Sequence, residues 1–303
     1  YVGCAGGGGW EFTRQFQTAA IPDDFKQLSL SVRGLAGGHS GIQIHEQLGN
    51  AVKLLGQCLQ EVGDLRLGAI DIGVAHNVIP REGRVEFACS PELAGVLEDS
   101  LPGLREQWLS YLPAADTGVE LSLQPGRLES ALGADDSATL LQLVAAFPHG
   151  AQAYNLEQPA DLVDVSINLA ILRLEQGALF LEASYRFFNE SQSLPLQQSV
   201  LALATVFGLG VKPVVGYPGW QPDFDSPLLA LASELHESLF SFRPAVKAIH
   251  AGLECGILKS KKPDTDILSF GPTIRGAHSP SERLEIATVE PFWQFLTALL
   301  ERM

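Results

Sequence analysis

An α/β fold is predicted, with two similar units followed by a C-terminal segment of alternating strands and helices. Three observations predict it: runs with the two-residue period of strands, runs with helical period, and a partial return of their order along the chain. Leu28, Leu30 and Val32 alternate with Ser29, Ser31 and Arg33, the pattern of a half-buried strand that Gly34 ends. Leu48, Val52, Leu55, Leu59 and Val62 then recur at helical spacing and give one apolar face. Residues 66–74 and 84–88 read as strands around a turn at 77–80, and Pro91 opens a helix that reaches 108–111. The order then partly returns, with a helix over 135–147, strands over 163–174 and 178–188 around Gln176-Gly177, and a helix over 194–209. From Val211 onward, short buried strands at 211–215 and 267–270 are expected to alternate with helices at 227–240 and 285–303. A single α+β domain would give similar strings without matched halves.

Composition narrows the function. The 303 residues, 46% of them hydrophobic, are enough for two domains that each bury a core. A net charge of −15, with 20 Lys and Arg spread along the chain, argues against nucleic acid, which needs clustered cations. Cys4, Cys58, Cys89 and Cys255 are scattered, with no C-x-x-C pair, as expected of reduced thiols in a cytoplasmic protein. Leucine-rich runs such as 196–209 are too short and too interrupted to cross a bilayer, and no signal peptide is visible. The opening on Tyr1, followed by a glycine run that fits no phosphate loop, is expected of a piece of a longer protein.

Several residues have the chemistry of a site. His278 lies in the turn-rich stretch 271–284, after the apolar run 266–270 and next to Pro280-Ser281-Glu282, where a new element is expected to start; it reads as a metal ligand or a polar loop residue. His39 stands in Gly37-Gly38-His39-Ser40-Gly41, where flanking glycines let the backbone turn and leave the imidazole unshielded; a polar residue at a helix start is the plainer reading. Asn77 fits ordinary turn chemistry or a ligand contact. Arg186 ends a predicted strand, and its planar fork suits either a carboxylate clamp or a surface ion pair. Residues 250–256, His-Ala-Gly-Leu-Glu-Cys-Gly, form a compact cluster in which Gly252 gives a ligand room and Glu254 meets an amino group or braces a neighbour. There is no H-E-x-x-H and no G-x-S-x-G, and Cys255 has no evident activating base. Asp23-Asp24 and Asp135-Asp136 read as solvated turn and helix-start acids.

Taken together, the 34–41, 77–82, 217–223, 250–256 and 271–284 stretches, with Gly3-Cys4-Ala5-Gly6-Gly7, resemble the C-terminal portion of the Xaa-His (aminoacyl-histidine) dipeptidases, co-catalytic zinc metallopeptidases. The resemblance covers the whole chain. It implies the C-terminal part of a zinc-peptidase α/β catalytic domain plus an inserted lid of two similar α+β units. The expected boundaries are 1–12 for the end of an N-terminal catalytic segment, 13–212 for the lid (units of about 27–125 and 130–212), and 213–303 for the catalytic remainder. It implies His278 as a zinc ligand, His39 as the catalytic donor to the tetrahedral intermediate, and Asn77, Arg186, Gly252 and Glu254 as substrate-binding residues. Two zinc ions per site, replaceable by cobalt or manganese, would serve the intact enzyme. The family's His-x-Asp pair, bridging Asp, Glu-Glu pair and further acidic ligand do not occur in this sequence, so the chain alone is expected to be inactive. Expected partners are a small dipeptide substrate and a possible homodimer, with neither nucleic acid nor membrane. A non-enzymatic binding or assembly module built on the lid fold is the alternative.

Overall fold

The computed structural model describes residues 1–60, 62–155, 162–275 and 282–303. Nine strands make one sheet: β1 (Gly6–Gln15), β2 (Lys26–Arg33), β3 (Arg66–Ile72), β4 (Gly83–Cys89), β5 (Glu120–Pro125), β6 (Gly150–Tyr154), β7 (Val163–Glu175), β8 (Ala178–Phe187) and β9 (Gly210–Tyr217). Among the described residues seven α-helices accompany them: α1 (Ala51–Gln60), α2 (Pro91–Leu109), α3 (Ala134–Ala146), α4 (Glu190–Val206), α5 (Pro227–Phe240), α6 (Glu254–Lys261) and α7 (Val289–Leu300). The strands lie in the order β9-β1-β8-β7-β3-β4-β2-β5, and β6 pairs with β7.

That order contains the same unit twice. β2-α1-β3-β4-α2-β5 is one run, and β1-α3-β7-β8-α4-β9 is the other, with the first inserted between β1 and α3 of the second. They meet where the equivalent strands β7 and β3 pair antiparallel, through Leu172 with Ile72, Arg173 with Asp71 and Leu174 with Ile70. An antiparallel joint between equivalent strands relates its two sides by a local twofold perpendicular to the sheet. The twofold leaves both helix layers on one face, and α1 does pack against α3 there.

Side-chain alternation fixes which face is which. On β1, Trp10 and Phe12 point into the core with Leu181, Ala183 and Tyr185 of β8, and Trp10 stacks on Tyr185 at 4.6 Å between ring centroids. Gly7, Gly9 and Glu11 therefore lie on the opposite, helix-free face, beside their register partners Arg186, Ser184 and Glu182. The β7–β8 hairpin turns at Gln176 (φ 49°) and Gly177 (φ 80°), two left-handed positions that suit a tight two-residue turn.

Four expectations need correction. Residues 6–15, given no secondary structure and expected to belong in large part to the end of an N-terminal segment, are a strand inside the sheet; glycine's low strand propensity hides it. The 211–215 strand is present but exposed along its length, because β9 is an edge strand with no covering layer among the described residues. Residues 267–270 are not a strand: Ser269 exchanges hydrogen bonds only with Tyr1, while Phe270 turns its ring edge-on to Phe295 at 4.8 Å, so the apolar side chains serve an aromatic cluster instead. The last helix starts at Val289, after a short 3-10 turn over Ile286–Thr288. His278, Pro280 and Ser281 lie outside the described residues.

Candidate active site

The first unit presents His39 and Asn77 together. Gly38–His39 pairs antiparallel with Val78–Ile79, and the Ser40 amide donates to the Asn77 carbonyl at 2.9 Å. The second unit holds the 76–78 turn from beneath: Asn168 Nδ2 donates to the carbonyls of His76 (3.1 Å) and Val78 (2.9 Å), and Ser184 Oγ donates to His76 O at 2.7 Å. His39 and Asn77 line one cleft of about 600 Å³, with Gln43, Val74, Pro80 and Arg81 among its other walls.

The geometry sets the His39 tautomer. Its Nδ1 accepts from the amides of Gly41 (3.0 Å) and Ile42 (3.2 Å), so the lone pair is at Nδ1 and the neutral ring's proton is on Nε2. A half-buried imidazole held this way is a hydrogen-bond donor.

Arg186 is buried, at 8% exposure, and among the described residues it has no carboxylate partner. Among the described residues its Nη1 meets only the Tyr217 hydroxyl, at 2.9 Å, and its Nε is buried without a partner. Burial pulls its pKa below the ordinary arginine value, with Tyr217 offsetting part of the shift, and a guanidinium stays charged all the same. The contact depends on Gly7. Tyr217, Gly7 and Arg186 are register neighbours across three strands, so the phenol reaches the guanidinium over a residue with no side chain.

His250 and Gly41 close the space beside Arg186. A Cβ on Gly41 would stand 2.2 Å from the His250 carbonyl and 2.9 Å from Arg186 Nε, so this loop residue must be glycine. His250 is buried, its Nε2 lies 2.7 Å from Ser166 Oγ, and its Nδ1 has no partner among the described residues. Burial, and next the Arg186 charge, bring its pKa down to about 3, so the ring is neutral. Gly252 abuts the Tyr217 ring, where a Cβ would stand 2.7 Å from Cε2.

The structure thus brings His39 and Asn77 into one cleft and places Arg186 with Tyr217, Gly252 and His250 across the Gly41 loop. Glu254 stands exposed in the first turn of α6, two residues after Gly252. Sequence reasoning undervalued Tyr217, Ser166 and His250, because their roles come from cross-strand register that spacing along the chain does not reveal. Among the described residues no group of three or more His, Cys, Asp or Glu is arranged to hold a metal ion. By themselves they do not fit the expected zinc pair.

The profile of a peptidase dimerisation domain matches residues 30–108, most of the first unit. The fold and its matched unit define a peptidase-type α/β chain. The sequence is 34% identical over 307 residues to the cytosol non-specific dipeptidase of Escherichia coli (strain K12), covering all of this chain and 63% of that protein. The fold superposes with a TM-score of 0.92 and 33% identity on aminoacylhistidine dipeptidase from Vibrio alginolyticus, covering all of this chain and 62% of that one. Over its whole length the chain is similar to both of these dipeptidases, and it spans about three-fifths of their length.

Proposed function

We propose that the whole protein hydrolyses dipeptides, with Xaa-His substrates preferred, and that this chain supplies the groups that grip the substrate and stabilise its transition state. The observation that carries the reading is Arg186, a buried cation with no carboxylate partner of its own among the described residues. An unpaired buried charge is costly, and the free carboxylate of a dipeptide is the planar bidentate partner a guanidinium fits. Longer peptides would place a neutral amide there, which accounts for dipeptide selectivity. His39 donates from Nε2 to the oxyanion, and Asn77 and Gly252 position the substrate backbone. Glu254 meets the substrate's amino group once the rest of the protein frames the site. His278 serves as a zinc ligand, and the zinc pair belongs to the whole protein. No helix among the described residues is long and apolar enough to cross a membrane, and the E. coli relative is named as cytosolic, so the proposed setting is cytoplasmic.

Arg186→Lys tests the clamp, because it keeps the charge and loses the fork. KM for a free dipeptide is expected to rise about tenfold or more, with a smaller change in kcat. The same dipeptide with an amidated C-terminus should be cleaved poorly by both forms and show no such difference. An unchanged KM for the free dipeptide would remove Arg186 from the substrate.

A further inference from the structure

The glycine strand β1 leaves a pit beside the carboxylate clamp. Across β8, β1 and β9 the helix-free face is built in rows: Arg186, Gly7 and Tyr217; then Ser184, Gly9 and Val214; then Glu182, Glu11 and Lys212. Arg186 and Tyr217 bridge the first row over Gly7 at 2.9 Å, and Lys212 grips Glu11 in the third at 2.8 Å. The middle row has a bare floor at Gly9. The result is a cavity of about 80 Å³ lined by Gly9, Val214, Ser184, Arg186 and Glu182, with His76 at its rim. Glu182 is half-buried and has no ion pair among the described residues, since the one lysine in its row is taken by Glu11.

We infer that this pit seats the side chain of the substrate's C-terminal residue, and that Glu182 at its far end accepts a hydrogen bond from an imidazole N–H. The inference rests on the dipeptidase reading above and adds the source of the Xaa-His preference. Rows on one face of a strand lie two residues, about 6.6 Å, apart. A residue whose carboxylate is held in the Arg186 row therefore carries its side chain over Gly9, with a ring nitrogen directed at the Glu182 row. An aliphatic side chain fills the same space but leaves Glu182 without a donor. A site that hydrogen-bonds a substrate N–H discriminates against analogues lacking it.

The test uses the whole protein and three dipeptides, alanyl-histidine, alanyl-leucine and alanyl-glycine. Glu182→Gln should lower kcat/KM for alanyl-histidine about tenfold relative to alanyl-leucine. Val214→Phe, on the exposed edge strand, should fill the pit and lower both relative to alanyl-glycine, and Val214→Ala should move the ratio the other way. If Glu182→Gln leaves the histidine-to-leucine ratio unchanged, or if neither Val214 variant moves the ratios to alanyl-glycine, the pit is not this subsite. Failure of the unaltered protein to cleave any of the three would instead sink the dipeptidase reading, and the inference with it.

Discussion

Gly7 shapes the site as much as Arg186 does, because a side chain at that position would stand between the guanidinium and the Tyr217 hydroxyl that steadies it. The sequence announces Arg186 and conceals Gly7: a guanidinium at a strand end suggests an anion, whereas a glycine run suggests only a loop. His39 was legible for a similar reason. Glycines around a histidine signal a special backbone, but its role as a donor follows only from the Gly41 and Ile42 amides on Nδ1. His39→Ala is expected to lower kcat of the whole enzyme by roughly 10²–10³-fold with little change in KM, the signature of a donor acting on the transition state. A variant with normal kcat would assign His39 to loop structure alone. His39→Gln, which keeps a donor near the Nε2 position, should recover part of the rate.

At the scale of elements, the period of the apolar residues located most of the strands and helices, and what it missed shares a cause. β1 is glycine-rich and β6 carries few large apolar residues, so neither shows clean alternation, while β5 alternates over only two leucines, Leu121 and Leu123. The polar links beside the apolar seam between α1 and α3 were equally hidden. Lys53 Nζ donates to the last carbonyls of α3, Val144 at 2.6 Å and Ala145 at 3.0 Å, and also to Phe147. Nearby, His149 Nδ1 accepts from Asn50 Nδ2 at 3.2 Å and from the Leu169 amide at 3.3 Å. A proton on Nδ1 would face two donors. Burial first, then the Lys53 charge, lower its pKa from 6.5 to about 4. The unfolded chain therefore takes up a proton between about 6.5 and 4 that the folded chain refuses, and stability falls as pH drops through that window. His149→Gln keeps an acceptor for both donors and removes the titration. The thermal midpoint of the variant should decline less steeply over this range, with His250 retaining its own share of the slope. Identical pH profiles would mean that His149 titrates alike in both states.

The whole molecule repeats one unit twice, and the joint between the copies lies inside a single chain. Sequence showed the repeat only as an order of elements, because the units share a topology while their side chains answer to different neighbours: β3 pairs with β7 through Ile70, Asp71 and Ile72, and β7 answers with a thirteen-residue strand buried over its first ten residues. The twofold joint gives both units one helix-bearing face and one open face. Asn77 of the first unit is thereby held against Asn168 and Ser184 of the second, near Arg186, without a second chain. Subunit exchange is then unnecessary for assembling these groups, even if the exposed edges at β5 and β9 support a homodimer. Specific activity of the whole protein is therefore expected to stay constant on dilution through any monomer–dimer transition seen by sedimentation. Activity that falls in parallel with dissociation would show that His39 or Asn77 serves a partner's substrate. On the reading that the zinc pair belongs to the whole protein, the present chain by itself is expected to cleave no dipeptide. Chelator-sensitive hydrolysis of alanyl-histidine by this chain at verified mass would overturn that expectation.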